Sequence, residues 1–329
     1  MPATLIDYAG LPNHGARTLI EHAGRVRRAE TEVRRLGRDR FEHLLIHREV
    51  TPFSAGGLAE KLAAGADHSV YDFDDALMWT EELASNRRVG PSRLARGLWS
   101  KAAACRRTVA AVDTVIAGNE VLAEWAAQYN SSIEVIPTCV DPSSYDAKRD
   151  YDIDEVPQLV WLGSPATEYN LDQIVEALLR VHQLTGARLT VISAGNGDLG
   201  PLNSMTDRVD WTLDEVRRLS RFDLALAPLT DSPYERGKSA YKLIQYGAAG
   251  LPAVVSPVAA NRTVAAQLGQ RTATGTEEWV DAVSDLLSAD AAERSRIGAQ
   301  ASAAVKDRYS FQAWAETWLR TVAPMAAPA

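Results

Sequence analysis

The clearest indication of the fold comes from the segment Arg236-Gly-Lys-Ser-Ala-Tyr-Lys-Leu-Ile-Gln-Tyr-Gly-Ala-Ala-Gly-Leu-Pro-Ala-Val-Val255. Its small and apolar residues recur at steps of three and four, which places one set on a single helical face: Ala240, Leu243, Ile244, Gly247 and Ala248. Gly250 suits the left-handed position just past a helix, and Pro252 prevents the helix from continuing. The segment therefore predicts a helix that ends near Gly250 and leads into a buried strand at Ala253–Val255.

Three cations lie close to the start of this predicted helix: Arg236, Lys238 and Lys242. A helix N-terminus carries unpaired backbone N–H groups and the positive end of the helix dipole, so it attracts anions. A single basic residue in this position is more often a solvated surface charge, but a cluster of three favours a ligand. The arrangement predicts a diphosphate site, and therefore a nucleotide-linked ligand.

Short buried strands alternate with helices along the rest of the chain, as in parallel sheets that are covered on both faces. The first half contains predicted strands at residues 44–46, 69–71, 114–116 and 134–136, and a further candidate at residues 4–8. The second half contains predicted strands at residues 159–162, 189–192, 223–227 and 253–255. Between the halves, residues 141–157 are polar, strongly charged and bracketed by prolines, which is a linker composition.

Further motifs follow one another along the chain: Tyr71-Asp-Phe-Asp-Asp75, Ile116-Ala-Gly-Asn-Glu120, Ile136-Pro-Thr-Cys-Val-Asp141, Val160-Trp-Leu-Gly-Ser-Pro165 and Arg221-Phe-Asp-Leu-Ala-Leu-Ala-Pro-Leu229. In this order, and together with the segment that begins at Arg236, they resemble the retaining glycosyltransferases of family 4, which have the GT-B fold. The resemblance extends from about residue 41 to the C-terminus. It implies an α/β protein with two Rossmann-like parallel-sheet domains that face a cleft.

The resemblance and the linker composition together give a domain prediction. Residues 1–143 are expected to form a shortened acceptor-side domain, residues 144–157 a linker, and residues 158–306 the domain that binds a nucleotide sugar. Residues 307–325 are expected to form a C-terminal helix that returns to the first domain. One helical stripe in it is assigned to packing: Phe311, Trp314, Trp318 and Leu319.

On the donor side, Arg236 and Lys238 are predicted to be catalytic cations that stabilise a diphosphate leaving group. The other predicted donor-binding residues are Gly163, Ser164, Asn196, Lys242 and Gln245. Many family members carry two glutamates eight residues apart in this region. Here the corresponding positions are Gly237 and Gln245, so only Gln245 offers a side chain that can bind a ribose hydroxyl.

On the acceptor side, Asp74 and Asp75 follow a predicted strand and are the candidates for accepting the acceptor's proton or holding its hydroxyl groups. Helix capping is the alternative for either residue, because aspartate is a favoured N-cap, and only one of the pair is expected to contact a ligand. Arg48, Glu49 and Asn119 complete the predicted acceptor side.

Asp72-Phe-Asp74 also matches the Asp-x-Asp of metal-dependent transferases with the other common glycosyltransferase fold. We expect no essential metal and no cofactor, because the donor-side cations already neutralise the diphosphate.

The net charge of −8 argues against a nucleic-acid partner, and no apolar run approaches the ~20 residues that cross a bilayer. We therefore expect a cytoplasmic protein. Residues 25–40 carry seven arginines against three acidic residues on a predicted helix, with Leu19, Ala23, Val26 and Val33 facing inward. This helix is either a solvated face or a peripheral contact with an anionic membrane, at the inner membrane face.

The predicted activity is transfer of a sugar from a nucleotide diphosphate sugar to an acceptor hydroxyl or amine. Retention of the anomeric configuration is implied by the resemblance alone. Two alternatives stay open: a sugar-nucleotide epimerase with the same fold, and a catalytically silent subunit that only binds nucleotide sugars. The sequence leaves open the base, the sugar, the oligomeric state, and whether the acceptor is a small molecule, lipid-linked or a glycan.

Overall fold

The computed structural model describes residues 20–80 and 100–324. Contacts within the chain divide it into two compact units. Unit 1 comprises Met1–Ile136 and Thr317–Ala329, and unit 2 comprises Pro137–Glu316. The candidate strand at residues 4–8 lies outside the described residues.

Unit 1 contains a parallel sheet with its four strands in the order β1-β2-β3-β4. The strands are β1 (Phe41–His47), β2 (Ala66–Phe73), β3 (Thr114–Ala117) and β4 (Ile133–Val135). The described helices of this unit are α1 (Ala23–Leu36), α2 (Gly57–Ala63), α3 (Lys101–Ala111) and α4 (Glu120–Ala126). All four strands predicted in the first half are confirmed, with β4 displaced by one residue.

Unit 2 contains a parallel sheet of six strands in the order β10-β9-β8-β5-β6-β7. The strands are β5 (Gln158–Leu162), β6 (Arg188–Ile192), β7 (Thr206–Val209), β8 (Leu224–Ala227), β9 (Ala253–Val255) and β10 (Arg271–Thr272). Its helices are α5 (Val175–Thr185), α6 (Leu213–Arg217), α7 (Pro233–Arg236), α8 (Tyr241–Ala248), α9 (Ala260–Leu268), α10 (Thr276–Ser288) and α11 (Ala291–Arg308), and α12 (Phe311–Val322) begins in this unit. In this order the first and fourth strands of unit 2, β5 and β8, are neighbours. The strand order therefore reverses between them, as in dinucleotide-binding sheets.

The core of unit 2 lies on both faces of its sheet. Along β5, Leu159 and Trp161 belong to one buried cluster, whereas Val160 and Leu162 belong to the other. Side chains of a strand alternate between faces, so a strand buried on both sides reads as a continuous apolar run. This property is what made β5 and β8 recognisable in the sequence.

Helix α8 ends as the sequence predicted. Gly250 has φ +72°, and its N–H donates to Gly247 O (2.9 Å). The helix begins after Ala240, which has a left-handed φ of +55°. The chain then enters β9 at Ala253, so the helix, the glycine stop and the strand are all confirmed.

The polar segment at residues 141–157 is packed on unit 2. Tyr151 is buried and its Oη donates to Gly250 O (2.8 Å), while Lys148 Nζ donates to Phe222 O (2.8 Å). The division between the units falls instead between Ile136 and Pro137. The polar composition of these residues predicted a linker. Their polar groups instead bind backbone groups of unit 2, and no local sequence pattern reveals such contacts.

Helix α12 begins in unit 2 and ends in unit 1, which includes the chain from Thr317. Within unit 1, His68 Nε2 donates to Thr321 O (2.9 Å). The predicted packing stripe is wrong in part, because Phe311 is 57% exposed and Leu319 is 58% exposed among the described residues.

Helix α1 buries Val26, Ala29 and Val33 and exposes most of its arginines. Ala23 is exposed, contrary to the prediction, and Leu19 lies outside the described residues. Within the described ranges, no helix is long and apolar enough to cross a membrane.

Candidate functional site

The carboxyl ends of β5 and β8 mark the position where a ligand is expected in unit 2. Open α/β sheets bind ligands outside the carboxyl ends of their strands, at the point where the strand order reverses. Gly163 and Ser164 follow β5, and the chain after β8 leads through α7 to α8. The segment that begins at Arg236 therefore lies beside this reversal point.

Lys242 places a partly buried ammonium group in this region. Its Nζ lies 4.9 Å from the centroid of the Trp161 ring, and no described residue accepts a hydrogen bond from it. Burial lowers its pKa to about 8, and the charge of Lys238 acts in the same direction. An ammonium in this environment favours an anionic ligand, because a ligand charge would offset both effects.

Gly163 allows this arrangement to form. A Cβ at this position would lie 2.3 Å from Trp161 Cη2 and 2.9 Å from Lys242 Cε. Any larger residue would therefore displace the ring and the lysine that rests on it. The glycine predicted to let a phosphate approach also lets Lys242 reach the end of β5.

Two charged residues, Lys238 and Glu235, act electrostatically on Lys242. Lys238 Nζ is 4.6 Å from the centroid of the Tyr234 ring and 3.8 Å from Glu235 Oε2. Glu235 is buried, and its Oε1 accepts a hydrogen bond from Tyr169 Oη. Sequence reasoning did not find Glu235 or this role of Tyr169, because their contact joins residues far apart along the chain.

Arg236 has a carboxylate partner of its own. Its Nε and Nη2 donate to Asp231 Oδ1 (2.5 Å) and Oδ2 (3.0 Å), and both side chains are more than half exposed. The Arg236 guanidinium lowers the pKa of Asp231 through this bidentate hydrogen bond. The sequence predicted that the Arg236 guanidinium binds the diphosphate. In the structure this guanidinium forms an ion pair with Asp231.

The loop after β6, which carries Asn196, is fixed by a buried ion pair. Glu168 accepts hydrogen bonds from Ser193 Oγ (2.5 Å) and from Arg208 Nη2 (3.0 Å), and Arg208 Nη1 donates to Gly195 O (2.9 Å). Burial opposes ionisation of Glu168, but the hydrogen bonds from Arg208 and Ser193 outweigh it, so its pKa lies below the usual value. Asn196 is exposed on the loop that these contacts hold.

Trp211 lies at the same edge of the sheet and was missed by sequence reasoning. It follows β7, whose Val209 O accepts a hydrogen bond from Ser193 N (3.0 Å) at the start of the loop after β6. The Trp211 side chain is 45% exposed, although tryptophan is usually well buried. An exposed indole near the carboxyl ends of these strands is suited to stacking on a flat ring.

The two remaining predicted donor residues differ in exposure. Ser164 is exposed after β5, and its Oγ lies 3.4 Å from Thr167 Oγ1. Gln245 is buried on α8, and its Nε2 donates to Tyr145 Oη (3.3 Å). Its amide therefore joins two parts of unit 2.

In unit 1, the ends of β1 and β2 bring Arg48 together with two aspartates. Arg48 Nε donates to Asp74 Oδ1 (2.8 Å), and Arg48 Nη2 lies 3.5 Å from Asp75 Oδ2. Arg48 has a left-handed φ of +57°, which is uncommon for a residue with a side chain. Its carbonyl accepts a hydrogen bond from buried Tyr71 Oη (2.7 Å), and its N–H donates to Asp72 O (2.9 Å), so the strained backbone is held from both sides.

Further polar residues surround this cluster. Glu49 Oε2 lies 3.7 Å from Lys101 Nζ, and His47 Nδ1 lies 3.7 Å from Asp72 Oδ2. A hydrogen bond and the charge of Asp72 raise the pKa of His47 despite partial burial. Among the described residues, no group of three or more His, Cys, Asp or Glu side chains is arranged to hold a metal ion.

Hydrogen bonds to backbone N–H groups distinguish Asp75, for which capping was the alternative, from Asn119, for which capping was not predicted. Asp75 Oδ1 accepts from the next N–H, of Ala76 (3.1 Å), but no side chain caps the short 3₁₀ turn Leu77–Trp79. Asn119 is buried and does cap a helix: its Oδ1 accepts from Leu122 N (3.0 Å) at the start of α4. The structure therefore gives Asn119 a local role that the sequence did not predict.

Comparison with known proteins identifies the fold. No protein-family model and no curated protein matches the chain. The two parallel-sheet units are those of the GT-B fold of glycosyltransferases, as predicted, and the solved structures that resemble the chain share it.

Three of these structures illustrate the likeness. Sucrose-phosphate synthase from Thermosynechococcus elongatus is 12% identical, with a TM-score of 0.63 over 93% of this chain and 78% of that one. A UDP-forming α,α-trehalose-phosphate synthase from Burkholderia xenovorans is 10% identical, with a TM-score of 0.63 over 96% and 81%. HepE from Anabaena, in complex with UDP and glucose, is 14% identical, with a TM-score of 0.61 over 85% and 78%.

Proposed function

We propose that this protein transfers a sugar from a nucleotide diphosphate sugar to an acceptor hydroxyl or amine. The observation that carries the proposal is the Lys242 ammonium beside Lys238 at the reversal point of the unit 2 sheet, without a hydrogen-bond acceptor among the described residues. Glycosyl transfer from such a donor requires that the negative charge developing on the diphosphate be stabilised. The GT-B fold and the solved complex of HepE with UDP and glucose support the same activity.

The cations that would stabilise the leaving group are Lys238 and Lys242. Gly163 and Ser164 would offer their backbone and a hydroxyl to the phosphates, and Asn196 would lie near the ribose or base. Arg236 would contribute only if its ion pair with Asp231 broke and its guanidinium bound the ligand. We do not assign Gln245 to the ribose, because its amide is buried against Tyr145.

On the acceptor side, the proposal uses the cluster at the ends of β1 and β2. Asp74 and Asp75 would hold the acceptor hydroxyl groups, and one of them would accept the proton that leaves. Arg48 would orient both carboxylates through its ion pairs with them, and Glu49 would extend the polar surface. Asn119 is not assigned to the acceptor, since its side-chain oxygen caps α4.

Retention of the anomeric configuration and independence of metal ions are part of the proposal. Retention is supported by the resemblance of the motifs alone. Metal independence is supported by the two lysines, which supply the positive charge that a divalent ion would otherwise bring. The anomeric configuration of the product, read by proton NMR, and turnover in EDTA would test these two points.

Titration by calorimetry tests the proposed function most directly. The purified protein would be titrated with UDP, GDP, ADP and dTDP, with and without EDTA. We expect one nucleotide to bind in the micromolar range without metal. Binding that disappears in EDTA and returns with manganese would contradict metal independence, and binding of none of the four would contradict the donor site.

The alternatives are separated by products. A catalytically silent subunit would bind the nucleotide without consuming the sugar nucleotide. An epimerase would convert the donor without an acceptor, and its product would keep the donor's mass.

Peripheral contact of α1 with anionic lipid stays a prediction. It is supported by the exposed arginines opposite Val26, Ala29 and Val33.

Replacement of Trp211 by alanine is expected to weaken binding of the preferred nucleotide about tenfold. Stacking of a base on an aromatic side chain contributes about 1–3 kcal/mol, and this indole is exposed at the ligand edge of unit 2. Calorimetry of Trp211→Ala and Trp211→Phe provides the measurement, since phenylalanine keeps a stacking surface. Equal affinity of all three proteins would remove Trp211 from the base site.

A further inference from the structure

Glu235 is a buried carboxylate beside the two lysines of the proposed diphosphate site. Its side chain has no exposed surface, and its Oε2 has no hydrogen-bond partner among the described residues. A buried carboxylate is unfavourable unless a neighbouring charge or a full set of hydrogen bonds compensates it. The compensation at Oε2 therefore has to come from a charge, and Lys238 Nζ supplies one at 3.8 Å.

Glu235 also connects the two sides of the reversal point. Its Oε1 accepts from Tyr169 Oη, and Tyr169 belongs to the 3₁₀ segment that follows β5. Glu235 itself lies on α7, which follows β8. The hydrogen bond from Tyr169 thus holds the Glu235 carboxylate between the two strand ends where the ligand is expected.

Lys238 and Lys242 repel each other. The charge of Lys242 is opposed first by burial and then by Lys238, and it is favoured by Glu235. Lys238 is anchored by the Tyr234 ring and by Glu235 on the same short stretch of chain. Without a negative charge nearby, two ammonium groups in a partly buried site would separate or one would lose its proton.

We propose that Glu235 is a positioning residue that holds the Lys238 and Lys242 ammonium groups together, both charged, before a diphosphate binds. That the ligand is a diphosphate rests on the proposed function, whereas the electrostatic role of Glu235 does not. When the ligand binds, its phosphate oxygens accept hydrogen bonds from Lys238 and replace Glu235 as the negative charge that compensates this ammonium group. The buried carboxylate then repels the diphosphate, which limits affinity and favours release of the nucleotide product.

The direct test is an NMR titration of the Lys242 side chain in the ligand-free protein. Lysine labelled with ¹³C at Cε provides the signal, and its absence in Lys242→Arg identifies it. In the wild type the midpoint is expected at a pH of about 8. In Glu235→Gln, which keeps the shape but removes the charge, the midpoint is expected about one unit lower.

Tyr169→Phe is the matched control, because it removes the hydrogen bond to Oε1 and leaves the Glu235 charge in place. Its midpoint is expected to stay close to that of the wild type. Lys238→Met is a second, independent measurement, which serves also if Glu235→Gln fails to fold. Removal of the like charge is expected to raise the Lys242 midpoint. An unchanged or lower midpoint in Lys238→Met, or an unchanged or higher midpoint in a folded Glu235→Gln, would overturn the proposal.

Nucleotide binding gives a readout that a purely structural role would not produce. At pH 6 both proteins carry a protonated Lys242, so Glu235→Gln should bind UDP or the preferred nucleotide at least as tightly as the wild type. At pH 8 its affinity, relative to pH 6, should fall about fivefold more than that of the wild type. A shifted midpoint without nucleotide binding would contradict the proposed function alone, whereas nucleotide binding with an unshifted midpoint would contradict the role of Glu235.

Discussion

Replacement of Lys242 by methionine is expected to weaken binding of the preferred nucleoside diphosphate about 100-fold. Hydrogen bonds to charged groups contribute about 1.5–3 kcal/mol each, and each 1.4 kcal/mol changes affinity tenfold. Lys242 is partly buried and has no hydrogen-bond acceptor among the described residues. A ligand oxygen would therefore bind its ammonium group without competing with a protein acceptor. Methionine preserves the apolar contact with Trp161 and removes only the ammonium group. Calorimetry at pH 7 provides the measurement.

Lys306→Met is the matched control, since it removes the same charge from an exposed position on α11 of unit 2. Its affinity for nucleotide is expected to stay within threefold of the wild type. Equal losses in the two variants would mean that general charge, rather than this site, governs binding. No loss in Lys242→Met would remove the observation on which the proposed function depends.

The pH dependence of binding follows from the same residue. Because its pKa is lowered to about 8, Lys242 is charged at pH 6 and loses its proton as the pH rises through that value. Nucleotide affinity is therefore expected to fall above pH 8. In Lys242→Arg, whose guanidinium stays charged, this alkaline fall should disappear.

Replacement of Arg48 by glutamine is expected to lower sugar transfer at least 100-fold. The change removes the charge shared by Asp74 and Asp75 and leaves two neighbouring carboxylates without this cation. Without this cation the two carboxylates repel each other, which disturbs their orientation. Transfer to acceptor would be measured with the donor and acceptor found by screening.

Arg106→Gln on α3 is the control, because Arg106 is exposed in the same unit. Its transfer rate should match that of the wild type. Nucleotide affinity of Arg48→Gln is a separate readout, expected within threefold of the wild type because the unit 2 lysines are unchanged. A normal transfer rate in Arg48→Gln would exclude the cluster at the ends of β1 and β2 from catalysis.

Much of the fold could be predicted from the sequence because its strands are strongly apolar. The strands β5, β8 and β9 are buried on both faces, so each appears as a short continuous apolar run. The strands β7 (Thr206–Val209) and β10 (Arg271–Thr272) were missed, since they are polar edge strands of the sheet. Their place depends on pairing with neighbours and leaves little trace in local composition.

Less of the candidate site could be predicted, because ion pairing depends on distant residues. The segment from Arg236 shows which residues are cationic, but it does not show that Asp231 neutralises Arg236 while Lys242 has no such partner. Likewise, the segment around Asn119 does not show that the side-chain oxygen of this residue caps α4. The roles proposed for Lys238, Lys242, Asp74 and Asp75 stay predictions.

Local sequence alone predicts the two parallel sheets, the helix α8 with its stop at Gly250, and the cations near the start of that helix. These features follow from local periodicity, from backbone preferences of glycine and proline, and from residue type. The folded chain is needed to show which charges are compensated, because compensation depends on distances between groups far apart in the sequence. The contact of Tyr169 with Glu235 spans 66 residues, and the loop of Asn196 is held by Glu168 and Arg208 from separate elements. Electrostatic energies fall with distance and grow with burial, so the candidate site took its final form only when the chain was folded.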